Sequence, residues 1–196
     1  MEEFSVSDQV KTVYDGFYKV EKNSDNGHER VRTTDSVAVI VFNRQSGTSI
    51  FVRQCRWPMV SDENPEGEIT EVVAGRFDYK VGVEQLVVNE LREEAGIEIT
   101  PDQVKILNGG KPLAASPGIL TERIFLAYVE VSLDYVHGSF GAEGENEQTE
   151  TTSEFVGQLD RIIYDDLKTF ALGMWLLLKR TQKEHDKFDN REFWEL

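Results

Sequence analysis

Cysteine is all but missing from this 196-residue chain. Cys55 stands alone, so neither an intrachain disulfide nor a cysteine-cluster zinc site can form. The expectation for it is a small buried or half-buried thiol in a reducing, cytoplasmic setting. Histidine is nearly as scarce: His28, His137 and His185 share no ligand spacing and receive no role. Long apolar runs are also lacking. The longest, residues 37–42 and 170–178, fall well short of the roughly 20 residues that span a bilayer. The N-terminus, Met1-Glu2-Glu3-Phe4, is acidic where a secretory leader would be basic. A soluble protein without a membrane partner is expected. Positive charge is in short supply as well: 21 Lys and Arg face 36 Asp and Glu, a net charge of −15, and the basic residues form no block. That balance argues against a nucleic-acid partner held by bulk electrostatics.

What is present is carboxylate, and enough chain for one domain with its own core. Excess carboxylates serve solubility, or they bind divalent metal, which reverses the local sign of charge and admits a phosphate substrate. Strand signals fill the first third, at residues 11–19, 29–34, 36–42 and 49–54, with a hairpin loop at 43–47. Residues 37–42 are apolar without alternation, which predicts a central strand covered on both faces. A polar loop at 61–67 leads to a strand over 68–74 that ends at Gly75.

From residue 83 to 95 the period becomes helical, with Val87, Val88, Leu91 and Ala95 on one side and Gly96 as a left-handed stop. Strand signals return at 104–107 and 123–131, and a second helix runs from about 165 to 180. Residues 138–154, rich in Gly and Glu and without a basic residue, read as a loop. Gly109-Gly110 reads as a turn, since no helix start follows it. The charged tail, 184–196, carries Phe188, Phe193 and Trp194, which suggests that it docks. Strands wrapped by two helices predict an α+β fold with a mixed sheet.

The chemistry concentrates on the first helix. Glu90, Glu93 and Glu94 stand at i, i+3 and i+4 and so share one face. Three carboxylates on one face repel unless solvent screens them or a hard cation such as Mg²⁺ fills the space between.

The frame around these glutamates resembles the Nudix box, G-x5-E-x7-R-E-U-x-E-E-x-G-U with U a bulky apolar residue. Gly75, Glu90, Leu91, Glu93, Glu94, Gly96 and Ile97 match, and Val81 and Asn89 depart from its Glu and Arg. Residues 37–42, Val52-Arg53-Gln54-Cys55-Arg56, Glu71-Val72-Val73-Ala74-Gly75, Ser116-Pro117-Gly118 with Thr121-Glu122-Arg123, and Gly144-Glu145-Asn146-Glu147 follow in the order of the nucleoside-diphosphate-sugar and ADP-ribose pyrophosphatases of that superfamily.

The resemblance implies a Nudix-type mixed sheet sandwiched between helices over residues 35–183. Residues 1–34 would be an N-terminal strand extension that pairs two chains into a homodimer, and 184–196 a charged tail. It implies that the carbonyl of Ala74 and the side chains of Glu90, Glu94 and Glu147 bind two or three Mg²⁺ (or Mn²⁺) ions, with Glu93 assisting. Glu145 would take a proton from the attacking water. Arg56 and Glu122 would hold the substrate, with Arg53 and Trp57 as further contacts.

The implied reaction is hydrolysis of the diphosphate of ADP-ribose or a related nucleotide sugar, giving a nucleoside monophosphate and a sugar phosphate. UDP-glucose or GDP-mannose as the preferred substrate stays open, since the segment at Lys168-Thr169 and Arg53-Gln54 also looks like enzymes with those preferences. So does a weakened Nudix domain that binds a nucleotide or a protein without turnover, because the Arg replaced by Asn89 helps orient the helix carboxylates.

Overall fold

The computed structural model describes residues 10–78, 80–134, 138–141 and 149–186. Strands β1 (Val10–Asp15), β2 (Lys19–Asn23) and β3 (Glu29–Arg32) make a small antiparallel sheet of their own. A tight turn, with the Gly16 N–H donating to the Tyr18 carbonyl at 3.2 Å, splits residues 11–19, where a single strand was expected.

The second sheet begins with β4 (Ser36–Asn43) and β5 (Thr48–Cys55), and β6 (Glu68–Glu71) and β7 (Val73–Arg76) follow. Helix α1 (Val83–Ala95) precedes β8 (Val104–Ile106), β9 (Leu113–Ala114) and β10 (Arg123–Val131). The chain then forms β11 (Ser139–Phe140), β12 (Thr149–Phe155) and α2 (Leu167–Asp186). The sheet runs β11-β12-β5-β4-β10-β8, with β6 on β5, β7 on β4 and β9 on β10. Since β10 lies parallel to β4 while β5 and β7 lie antiparallel to it, the sheet is mixed and the fold is α+β.

Every residue of β4 is buried, which the unbroken apolar run foretold. Val37, Val39 and Val41 pack under α1 against Leu86, Val87 and Leu91. On the opposite face Ala38, Ile40 and Phe42 meet Leu172 and Leu176 of α2. Helix α1 ends at Gly96, whose φ of 63° lets its N–H reach the Arg92 carbonyl while the Ile97 N–H returns to Leu91. Helices on both faces of a mixed sheet are consistent with a Nudix-type sandwich.

Three local expectations need correction. The strand anticipated over 68–74 is two strands, because the chain crosses from β5 to β4 at Val72, whose N–H leaves both ladders and donates to Thr169 Oγ1 at 3.0 Å. The loop anticipated over 138–154 contains β12, paired with β5 from Glu150 to Phe155. Its threonines suit a pleated surface, with Thr149 and Thr151 buried, and the acidic composition around them hid that signal. Cys55 is exposed rather than buried.

Gly109 and Gly110 do sit in a turn, both at positive φ. The three aromatic residues of the charged tail fall outside the described residues, and no described helix is long and apolar enough to cross a membrane.

Candidate active site

A cleft of about 940 Å³ opens between the N-terminal sheet, the end of β7, the exposed face of α1 and the start of α2. One wall comes from the β7–α1 connection. Gly75 is required there because a Cβ at that position would lie 2.0 Å from the Glu90 carboxylate, so the bare backbone is what lets this side chain settle against the strand. One turn on, Glu94 is buried and accepts the Ala74 N–H at 3.3 Å.

Burial above all, and then the charge of Glu90, push the Glu94 carboxyl up to about 8; the Ala74 N–H and the Arg56 charge oppose that rise only in part. Glu93 also faces the cleft, where it pairs with Arg92 at 3.0 Å.

Among the described residues no three His, Cys, Asp or Glu side chains converge into a closed metal cage. The donor set nevertheless fits Mg²⁺, which keeps several waters and takes one or two protein carboxylates together with substrate phosphates. Glu90, Glu94 and the backbone at Ala74 supply such a set, and the Glu94 carboxyl, raised first by burial and then by the charge of Glu90, is one that a cation would draw into its charged form.

The same cleft is lined by positive charge as well. Arg56, just past β5, donates Nε to Glu71 Oε1 at 2.7 Å, and Lys168, at the start of α2, donates to Glu71 Oε2 at 2.6 Å. Lys168 also lies 3.1 Å from Asp166, which caps α2 by accepting the Thr169 N–H and Oγ1–H. Burial disfavours the Lys168 ammonium, but Glu71 and then Asp166 outweigh it and hold the group above the ordinary lysine range. Burial likewise works against the Asp166 carboxylate, yet Lys168 and Thr169 bring it below its usual value. Glu122 enters after the turn begun at Ser116 and accepts the Ser36 hydroxyl at 2.6 Å.

The structure therefore gathers Ala74, Glu90, Glu93, Glu94, Arg56 and Glu122 around one cleft. Arg53 and Trp57 stand elsewhere. Arg53 alternates to the other face of β5, pairs with Glu150 and lines a separate hollow of about 310 Å³ with Phe51 and Tyr164. Trp57, in a 3-10 turn over Trp57–Met59, is 84% exposed. Glu145 and Glu147 fall outside the described residues.

Sequence reasoning gave no site role to Glu71 or Arg76. The first shares the inward face of β6 with Ile69, two residues before it, and that alternation is a readable signal. Arg76 packs over the rings of Phe17 and Tyr18 at 5.0 and 5.9 Å and donates to the Tyr18 hydroxyl at 3.2 Å, a contact that only the fold creates.

No family model matches the chain. It is similar to proteins named GDP-mannose pyrophosphatase: 30% identical over 112 residues to that of Yersinia enterocolitica and 32% over 114 residues to that of Pectobacterium atrosepticum. Each match takes in 57% of this chain, and the chain spans just over half the length of these two relatives, 56% and 55%. The likeness to the Cronobacter sakazakii protein of the same name extends further, at 28% identity over 149 residues and 74% of either chain.

Proposed function

We propose that this chain is a Nudix-type hydrolase that cleaves the diphosphate of a nucleoside diphosphate sugar with the help of Mg²⁺. The observation that carries the reading is one cleft lined both by the Glu90 and Glu94 carboxylates beside Ala74 and by the cations Arg56 and Lys168. GDP-mannose is the first substrate to try, since the similar proteins above bear its name, and ADP-ribose is the next.

In this reading Glu90, Glu94 and the Ala74 carbonyl hold the metal, with Glu93 assisting and Glu147 completing the set. The ion, once bound, supplies charge neutralisation for the diphosphate and activation of the attacking water. Arg56 binds the phosphate oxygens by charge-assisted hydrogen bonds. Glu122, held by Ser36, accepts hydroxyl protons of the sugar. Glu145 takes the proton from the water as it attacks in line at phosphorus. Because Glu94 keeps its proton up to about pH 8 in the metal-free protein, metal binding displaces that proton and strengthens as pH rises.

A second copy of the chain belongs to this proposal. Val13, Tyr14, Phe17 and Tyr18 on the N-terminal sheet are exposed, with Phe17 80% accessible, and pairing two such sheets would cover them.

The reading of a nucleotide-binding module without turnover rests on Asn89. It accepts Gln85 Nε2 along the helix surface at 3.0 Å, where the resemblance has a longer, charged Arg.

The test is hydrolysis by purified protein of GDP-mannose, ADP-ribose and UDP-glucose, each with Mg²⁺ and with Mn²⁺. Release of nucleoside monophosphate from at least one is expected. Folded protein that hydrolyses none refutes the enzymatic reading, and tight metal-dependent nucleotide binding in the same sample would then favour the module.

A further inference from the structure

The proposed chemistry leaves Glu71 unused. The residue is 1% exposed, it takes no part in lining the cleft, and it ends β6 on the same inward face as the buried Ile69, next to the buried Val72. A buried carboxylate is costly unless it is fully paired. Here both oxygens are occupied, one by Arg56 Nε and the other by Lys168 Nζ.

The arrangement extends beyond this pair. Lys168 is held from its far side by Asp166, and Asp166 is fixed by the Thr169 backbone and hydroxyl. Thr169 Oγ1 in turn accepts the Val72 N–H, one residue after Glu71. The start of α2 and the β6–β7 crossover are thus locked together, and the locked unit ends on the Nε edge of Arg56.

Arg56 has a strong alternative. It lies near enough to Glu94 to pull that carboxyl down, and Glu90 lines the same cleft. An arginine on a flexible stem that settled onto these carboxylates would neutralise the charge proposed to take up cations, and it would be withdrawn from the phosphates.

We propose that Glu71 is a positioning residue which, braced by Lys168, fixes the Arg56 guanidinium at the cleft in the orientation that meets the substrate phosphates. The proposal rests on reading the cleft as a diphosphate site, and it goes beyond that reading by giving the buried anion a task.

The test exploits a difference in sign. Removing a negative charge from beneath an anion site should tighten anion binding by simple electrostatics. Loss of a positioning group should weaken it. Calorimetry with inorganic pyrophosphate in the absence of metal therefore separates the two. Glu71→Gln is expected to lower pyrophosphate affinity by about tenfold or more, the scale of a charged hydrogen bond. With GDP-mannose and Mg²⁺ the same variant should raise KM by a similar factor while kcat moves less than about threefold. In an Arg56→Ala background Glu71→Gln should change neither quantity further, because its effect passes through Arg56.

Tighter or unchanged pyrophosphate binding in Glu71→Gln overturns the proposal, and so do losses that simply add in the double variant. Should Glu71→Gln fail to fold, Glu71→Asp retains the charge one methylene short and is read in the same assays, with an intermediate loss expected and wild-type affinity as the refuting result. Should the wild-type protein hydrolyse no nucleotide sugar, the enzymatic reading falls by itself. The positioning claim is then decided by the pyrophosphate arm and by ¹⁵N NMR of the Arg56 Nε–H, expected to exchange slowly with solvent in the wild type and rapidly in the variants; equal exchange refutes it.

Discussion

All eight residues of β4 are buried, whereas five of the six residues of β1 are exposed. The central sheet has α1 on one face and α2 on the other. Among the described residues the N-terminal sheet meets the remainder through hydrogen bonds of Val31 with Ile119 and Thr121 and of Tyr18 with Arg76, and through the Arg76 guanidinium over the Phe17 and Tyr18 rings. Its one buried charge, Glu21, is satisfied within the sheet by Arg30 and Arg32 at 2.7 and 3.2 Å. The difference teaches where stability and completion of the site reside. The central sheet carries the fold and the carboxylate wall, and the N-terminal sheet brings Phe17 and Tyr18 to the rim of the cleft while keeping an apolar surface that a second chain can cover.

The hardest blow to this division would be a site that survives loss of its carboxylates. Glu90→Gln and Glu94→Gln are each expected to reduce Mg²⁺-dependent hydrolysis of the nucleotide sugar by roughly a hundredfold or more, since metal-assisted charge neutralisation is worth several kcal/mol. Glu145→Gln should lose about 10²- to 10⁴-fold in turnover and still bind Mg²⁺ and nucleotide. Steady-state kinetics and calorimetry check both; retention of activity by Glu145→Gln would move the base to Glu147 or Glu143, since Glu150 pairs with Arg53 at the separate hollow.

The next largest effect sharpens the contrast in stability. Leu91→Ala empties a fully buried position under the central sheet and should cost about 2–5 kcal/mol in urea unfolding. Val13→Ala on the exposed sheet should cost less than about 0.5 kcal/mol in a dilute monomer. Comparable losses would mean that the N-terminal sheet is already packed in the single chain.

Acid–base behaviour gives a third measure. The Glu94 carboxyl titrates near 8 when folded against 4.5 in an unperturbed glutamate, so across that window the metal-free folded state binds more protons than the unfolded state. The Glu94 contribution to stability therefore falls as pH rises from about 4.5 to about 8, by up to a few kcal/mol, and levels off above. Thermal unfolding in EDTA should show this decline. Glu94→Gln should flatten it, and Mg²⁺ should restore stability most strongly at the alkaline end.

Association follows. Light scattering at micromolar concentration should report a dimer, and Tyr14→Asp together with Phe17→Asp should shift it to monomer with little change in the unfolding of the central sheet. A wild-type monomer would leave the exposed aromatics unexplained.

The smallest effects concern Val81 and Asn89, the two positions where the sequence differs from the pattern it resembles. Val81 packs against the core under α1, so Val81→Glu should destabilise by about 1 kcal/mol. Asn89→Arg on the partly exposed helix surface should stay within about 0.5 kcal/mol, as urea unfolding would show. A large gain in turnover by Asn89→Arg would instead identify Asn89 as a genuine attenuation.

The sequence alone was sufficient for the central strand, both helices and the spacing of the carboxylates on α1. These follow from local rules: an apolar run must be covered on both faces, a 3.6-residue period selects a stripe, and glycine stops a helix where a left-handed residue is needed. It also drew Arg56 and Glu122 into the site, although only by resemblance, because no local rule connects them with a helix some 30 residues away.

Tertiary structure decided the rest. Arg53 and Arg56 look alike in sequence, yet the pleat turns one to a side hollow and the other to the cleft. Thr149–Phe155 became a strand because β5 offered an open edge, a long-range pairing invisible in its own composition. Glu71 acquired its partners only when α2 brought Lys168 to its second oxygen from 97 residues away. Periodicity reports what a residue does within its own element; which charges meet across elements depends on how those elements pack.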